Sequence, residues 1–103
     1  MKVQVAVVQS TPVFFDRAAT LQKLSKIVSE EAQKGSQLIL FPESYIPGYP
    51  RGFSFGSAIG YRERVGRELY LRYWQNSLGR DDTDFQQLIH LAQTHQVYLI
   101  VGI

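Results

Sequence analysis

The chain has 103 residues, of which 45% are hydrophobic, and a formal net charge of +2. This length suits one small domain, and the hydrophobic content is too high for an intrinsically disordered chain. A charge so close to neutral gives no reason to expect a nucleic-acid or membrane partner. The absence of cysteine excludes disulfides, thiolate metal sites and a cysteine nucleophile within these residues.

The N-terminal stretch MKVQVAVVQSTP has no features of a targeting signal. It contains no long apolar core leading to a cleavage site, and no apolar run in the chain approaches the ~20 residues that a membrane-spanning helix needs. We therefore expect no membrane partner, and the absence of cysteine is compatible with a cytoplasmic location.

Hydrophobic patterning predicts a strand–helix–strand unit at the start of the chain. Residues 3–8 and 38–41 are apolar runs typical of strands covered on both faces. Between them, apolar residues recur at helical spacing over residues 17–34, with Asp16 placed to cap the start and Gly35 to end the helix. Such a unit normally has parallel strands joined by a right-handed crossover.

A long loop is predicted at residues 44–61, where glycine occurs at every fourth position from Gly48 to Gly60. Loops of this length in compact domains are usually functional or disordered, and the aromatic content of this one argues against disorder. Eight of the chain's aromatic residues lie between Tyr45 and Trp74. They suit the wall of an apolar pocket and a packing or subunit interface equally well.

Two helices and a strand are predicted after the loop. Residues 62–76 form a helix with opposite charges at i,i+4 spacing, and its apolar stripe consists of Val65, Leu69 and Tyr73. The third helix starts at Asp82 or Thr83, and residues 97–101 form a third buried strand. The element order is β-α-β-loop-α-α-β, an α/β arrangement.

Three short parallel strands make an incomplete sheet. Both faces of a parallel sheet need to be covered, and its open edges invite mispairing. We therefore expect residues 1–103 to form the N-terminal part of a larger α/β domain.

Glu43 is the main candidate for chemistry, because it follows the predicted strand LILF and Pro42. Ligands of open α/β sheets bind beyond the carboxyl ends of the strands, and a partly desolvated carboxylate there is suited to general-base catalysis. Position alone still favours an ordinary solvated side chain or a turn cap.

The other polar clusters indicate no separate function. Six of the seven arginines lie in residues 51–80, but those on the predicted helix have glutamate partners, which favours a solvated face over an RNA-binding surface. His90 and His95 are five residues apart on a helix and do not share a face, so no metal site is predicted.

Three stretches carry a family resemblance: VAVVQSTPVFFDRAATLQK, EEAQKGSQLILFPESYIPGYPRGFSFG and HQVYLIVGI. The chain resembles the N-terminal portion of the nitrilase family within the carbon–nitrogen hydrolase superfamily. The long loop after FPE is more similar to true nitrilases than to short-loop amidases. The implied fold is a four-layer α-β-β-α sandwich, with residues 1–103 as the N-terminal fragment of one such domain.

The resemblance also implies a reaction. Family members hydrolyse a nitrile to a carboxylic acid and ammonia with a Glu–Lys–Cys set, through a thioimidate and a thioester on the cysteine. The glutamate of FPE, the general base, corresponds to Glu43, and Tyr45 and Tyr49 would lie near the substrate. The resemblance implies no metal or organic cofactor, a small nitrile as substrate and a homo-oligomer of the full-length form.

The chain matches only the glutamate of this catalytic set, because the family's lysine and cysteine follow the third strand. We therefore expect the chain alone to be inactive on nitriles. Two alternatives stay open: the chain is the non-catalytic half of a split subunit or a structural assembly partner, or it derives from an amidase of the same superfamily.

Overall fold

The computed structural model describes residues 1–49 and 63–103 in full, and the backbone of residues 57–58 and 61–62. Its elements are β1 (Val5–Val7), α1 (Arg17–Gln33), β2 (Leu38–Leu40), β3 (Ser57–Ala58), β4 (Tyr61–Arg62), α2 (Arg64–Asn76), α3 (Thr83–His95) and β5 (Tyr98–Ile100). The main sheet and the three helices follow the predicted order β-α-β-α-α-β, which confirms the α/β class. Each strand of the main sheet is shorter than predicted.

The main sheet is parallel, with β2 between β1 and β5. Val5 pairs with Leu38 on one side of β2, and Leu38 pairs with Tyr98 on the other. Because β2 is central, the residues that leave its carboxyl end are flanked by the ends of both neighbours. This arrangement determines the surroundings of Glu43.

Helix α1 has the predicted end signals. The Asp16 side chain accepts a hydrogen bond from the Ala19 amide at 2.9 Å, as an N-cap should. At the other end Gly35 has φ +92°, a conformation that costs glycine little and other residues more.

The core lies on one face of the sheet. Ile39 at the centre of β2 is fully buried, and it packs in one cluster with Leu24 and Val28 of α1 and Leu88 of α3. Ala6 and Leu99, which are level with Ile39 on the neighbouring strands, are packed against the same cluster.

No residue that the structure describes covers the opposite face of the sheet, which corrects the expectation of strands covered on both faces for these residues. Val5 and Val7 of β1 are 47% and 66% exposed, and Tyr98 and Ile100 of β5 are 78% and 52% exposed. The alternation follows from the pleat, since successive side chains point to opposite faces. A continuous apolar run therefore predicts that both faces of the strand are apolar and need to be buried. No described element packs against the second face.

The predicted apolar stripe of α2 is only partly buried, because Leu69 and Tyr73 are half-buried and Val65 is exposed. Val65 is 63% exposed and Trp74, beside the stripe, is 66% exposed, whereas Gly66 is the buried residue of the helix. Of the predicted charge pairs, Arg64 and Glu68 do form an ion pair at 3.0 Å. Helical spacing predicts which residues share a face, but the neighbours that would cover that face come from elsewhere.

A short antiparallel hairpin occurs where one continuous loop was predicted. Ser57 in β3 pairs with Arg62 in β4, and Ala58 pairs with Tyr61. The glycine and aromatic pattern between residues 50 and 56 and at residues 59–60 lies outside the described residues, as does the side chain of Tyr61. The pocket-wall role predicted for that part of the loop stays a prediction.

Candidate active site at the carboxyl edge of the sheet

The carboxyl ends of all three parallel strands meet at one edge of the molecule. The Val8 amide donates to the Leu40 carbonyl at 2.8 Å, and the Phe41 amide donates to the Ile100 carbonyl at 2.8 Å. The chain leaves this ladder at Pro42, and Glu43 is the next residue. Its side chain is exposed, so the partial desolvation expected from the sequence is not found.

Residues 43–47 form a turn directly after β2. Within it, the Gly48 amide donates to the Ser44 carbonyl at 3.0 Å, and the Ile46 amide donates to the Gly102 carbonyl at 3.0 Å. The turn that carries Glu43 is thus held by a hydrogen bond within its own segment and by one to the residues that follow β5.

Ser44 occupies an uncommon backbone conformation next to Glu43. Its φ is +49°, a left-handed value that few residues other than glycine adopt. Its hydroxyl accepts a hydrogen bond of 3.1 Å from the Tyr73 hydroxyl in α2. This contact links the turn to a helix 29 residues further along the chain.

Gly102 packs directly against the backbone of the same turn. A Cβ atom on Gly102 would lie 2.7 Å from the Glu43 carbonyl carbon and 2.8 Å from the Pro42 oxygen, and still closer to the Ser44 nitrogen. Real Cβ atoms do not approach other atoms that closely, so only glycine fits this position without a shift of the turn.

The two tyrosines predicted at the site have different surroundings. Tyr45 is 1% exposed, its ring lies 5.1 Å from that of Phe41, and within the described part of the chain its hydroxyl has no hydrogen-bond partner. Tyr49 is 49% exposed, two residues beyond the turn. A substrate contact of either tyrosine stays a prediction.

Neither a metal centre nor a membrane-spanning helix is found in the part of the chain that the structure describes. No group of three or more metal-ligating side chains occurs there, and none of its helices is long and apolar enough to cross a bilayer. His90 instead lies 3.5 Å from Thr94 on its own helix, as expected for a surface histidine.

A carboxylate at the carboxyl edge of a parallel sheet is a general arrangement, and comparison with known proteins identifies the family. The family model described as carbon-nitrogen hydrolase matches residues 4–103. The chain belongs to the carbon–nitrogen hydrolase family.

Several plant proteins named nitrilases are similar to this chain over nearly its whole length. Nitrilase 2 of Arabidopsis thaliana is 39% identical over 100 residues, which are 97% of this chain and 30% of the plant protein. Nitrilase 3 of the same plant is 41% identical over 100 residues. A bifunctional nitrilase/nitrile hydratase of Nicotiana tabacum is 38% identical over 101 residues, or 98% of this chain and 29% of the tobacco protein. The chain therefore spans about 30% of the length of these relatives.

Three residues around Glu43 were not singled out from the sequence as site residues: Ser44, Tyr73 and Gly102. Gly102 had a readable signal, because a glycine at the end of an apolar strand often marks a close backbone approach. Ser44 and Tyr73 had none, since their hydrogen bond depends on how α2 packs against the turn.

Proposed function

We propose that this chain provides the N-terminal part of a nitrilase active site, in which Glu43 is the general base. The observation that carries the proposal is the placement of Glu43: an exposed carboxylate, one residue beyond Pro42, at the carboxyl end of the central strand. Ligands of parallel α/β sheets bind at this edge. The similarity to proteins named nitrilases supplies the reaction class.

In the proposed reaction, Glu43 accepts the proton of a cysteine thiol that lies outside these residues. The sulfur forms a bond to the nitrile carbon, and the nitrile nitrogen takes up the proton, which gives a thioimidate. A water molecule then adds to the same carbon and ammonia leaves, which gives a thioester. A second water hydrolyses the thioester, releases the carboxylic acid and restores the thiol.

The role of Glu43 in these steps depends on reach. A general base must come within about 2.6–3.2 Å of the proton that it removes, and covalent catalysis requires a base beside the nucleophile. The exposed Glu43 side chain is available to a thiol that approaches the carboxyl edge. Such a thiol would also shield the carboxylate from solvent, which is the desolvation that is not found in this chain.

Both a carboxylic acid and an amide should be measured as products. The tobacco relative is named both a nitrilase and a nitrile hydratase, and a hydratase product is an amide. If water adds to the thioimidate and the sulfur leaves in place of ammonia, an amide results. We propose that the active site to which this chain contributes releases mainly the carboxylic acid. Acid and amide should be assayed together.

The proposal is tested with a chimera. Residues 4–103 replace the matching N-terminal stretch of Nitrilase 2 from Arabidopsis thaliana, so that the plant protein supplies its remaining sequence. We expect the chimera to release ammonia from a nitrile that the parent enzyme turns over, and the Glu43→Gln chimera to be slower by about 10²–10⁴-fold, the usual contribution of a general base.

The matched control is Glu30→Gln, which neutralises an exposed carboxylate on α1 that is paired with Lys26. This variant should retain the activity of the parent chimera. A folded chimera in which Glu43→Gln turns over as fast as Glu30→Gln would contradict the proposal. The 103-residue chain, which has no cysteine, should release no ammonia by itself.

A second candidate function follows from the uncovered face of the sheet. Val7 and Tyr98, each well over half exposed, belong to an apolar surface suited to burial against other protein. This favours a structural or split-subunit role as the alternative, and it is consistent with the proposed homo-oligomer. A chimera that assembles but has no turnover, even with Glu43 intact, would favour this alternative.

A further inference from the structure

The turn that carries Glu43 needs outside contacts to hold its shape. Ser44 adopts a φ of +49°, and a non-glycine residue in the left-handed region is strained. Such a conformation persists only where the surrounding structure fixes it. The contacts that fix Ser44 therefore also fix the backbone of Glu43, its neighbour.

The first of these contacts is Gly102. A Cβ atom on Gly102 would clash with three backbone atoms of the turn: the Pro42 oxygen, the Glu43 carbonyl carbon and the Ser44 nitrogen. In addition, the Gly102 carbonyl accepts a hydrogen bond from the Ile46 amide at 3.0 Å. Because backbone atoms cannot rotate away as a flexible side chain can, a methyl group at residue 102 must displace the turn.

The second contact is the Tyr73 hydroxyl, which donates to Ser44 Oγ at 3.1 Å. Both groups are partly buried, so the hydrogen bond is partly shielded from competing water. It fixes the side chain of the residue with the uncommon φ. Gly102 acts on the backbone of the turn, and Tyr73 acts on its side chain.

We propose that Gly102 and Tyr73 are positioning residues for Glu43: they hold the Glu43–Ser44 backbone where the carboxylate meets the attacking thiol. This inference rests on the proposed role of Glu43 as the base. Displacement of a reacting group by about 1 Å can cost about 10²-fold in rate. Residues that never touch the substrate therefore control turnover through Glu43.

The contacts are first tested by NMR on the 103-residue chain. Gly102→Ala should move the backbone amide signals of Glu43 and Ser44, and Tyr73→Phe should move those of Ser44. The control Gly79→Ala should leave these signals in place, because a Cβ on Gly79 meets only the Asp82 side chain, at 3.7 Å. Unchanged Glu43 and Ser44 signals in Gly102→Ala would overturn the inference.

The consequence for catalysis is tested in the chimera described above. We expect Gly102→Ala to lower kcat by about tenfold to a hundredfold, and Tyr73→Phe by about tenfold or less, with KM nearly unchanged in both. Gly79→Ala should leave kcat unchanged. Circular dichroism must show each variant folded at the assay temperature. If the fall in kcat is no larger than the fall in the fraction of folded protein, the variant gives no support to a positioning role and counts against it.

A double variant separates this inference from the proposed function. If Gly102 acts through Glu43, adding Gly102→Ala to Glu43→Gln should slow the enzyme no further. If the two effects multiply, Gly102 acts elsewhere and the positioning role is wrong. If Glu43→Gln is slow but Gly102→Ala and Tyr73→Phe are fully active, only the positioning role fails. If Glu43→Gln is fully active, the proposed function fails.

Discussion

Single side chains determine how the loops at the carboxyl edge are held, and Thr20 shows this most directly. Thr20 is fully buried on α1, and its hydroxyl accepts from the Val13 amide and donates to the Val13 carbonyl, each at 3.0 Å. One hydroxyl thus satisfies both backbone groups of a loop residue after β1. Apolar spacing does not reveal such a residue, because threonine fits a helix face equally well without a partner.

Thr20→Val should therefore destabilise the chain although it preserves the side-chain shape. The valine leaves the partly buried Val13 amide without its acceptor and removes one of the two hydrogen bonds that the Val13 carbonyl accepts, the other coming from the Asp16 amide; the loss costs about 1–3 kcal/mol. Urea unfolding at equilibrium measures the loss. Thr94→Val, at an exposed position on α3, is the matched control and should change the free energy of unfolding by less than about 0.5 kcal/mol.

At the scale of elements, the helices were predicted well because their signals are local. Asp16 and Gly35 lie at the ends of α1 and have the geometry that their residue types favour. The hairpin of β3 and β4 was missed, since strands of two residues have no hydrophobic periodicity to detect. The exposure of Val65 and the hydrogen bond from Tyr73 to Ser44 depend on packing between distant segments, which a local pattern does not contain.

The Asp16 cap makes a testable contribution to α1. Asp16→Ala removes the acceptor for the Ala19 amide, and we expect a loss of about 1 kcal/mol, the usual effect of an N-cap. Thermal unfolding followed by circular dichroism measures it. Asp81→Ala removes an exposed aspartate outside any helix, and an equal loss in that control would contradict the capping role.

Arg17 links the start of α1 to the end of α2 and to the first turn of α3. Its Nε lies 2.9 Å from Asp84 Oδ2, and a terminal nitrogen donates to the Ser77 carbonyl at 3.0 Å. Arg17→Lys keeps the charge but cannot reach both partners with a planar group, so we expect a loss of about 1 kcal/mol in urea unfolding. Arg64→Lys, in a pair whose arginine is 91% exposed, should have almost no effect. Equal losses in both variants would show that the contacts of Arg17 with Asp84 and the Ser77 carbonyl contribute no stability of their own.

For the whole molecule, the main consequence of the fold is that, among the described residues, one face of the sheet is covered and the other is not. The sequence predicted that the sheet is incomplete, because three parallel strands cannot cover themselves. It did not predict which face remains open. That depends on α1 and α3 packing on the same side, against Ile39.

The open face should make the isolated chain associate with itself or bind the apolar dye ANS. Val7→Thr with Tyr98→Thr should weaken both effects while leaving stability nearly unchanged, since both side chains are well over half exposed. Light scattering after gel filtration and dye fluorescence measure the two effects.

Ile39→Thr, at a fully buried position of the core, is the contrasting variant and should unfold the chain. Association that is unaffected by the double variant would place the contact surface elsewhere.

The central claim is that Glu43 takes the proton of the attacking thiol. Single-turnover release of ammonia tests it most directly, with chimera in excess over nitrile so that product release does not limit the rate. We predict that Glu43→Gln slows this single turnover by about 10²-fold or more, whereas Glu30→Gln leaves it unchanged. Equal rates in these two folded variants would contradict the assignment of Glu43 as the base.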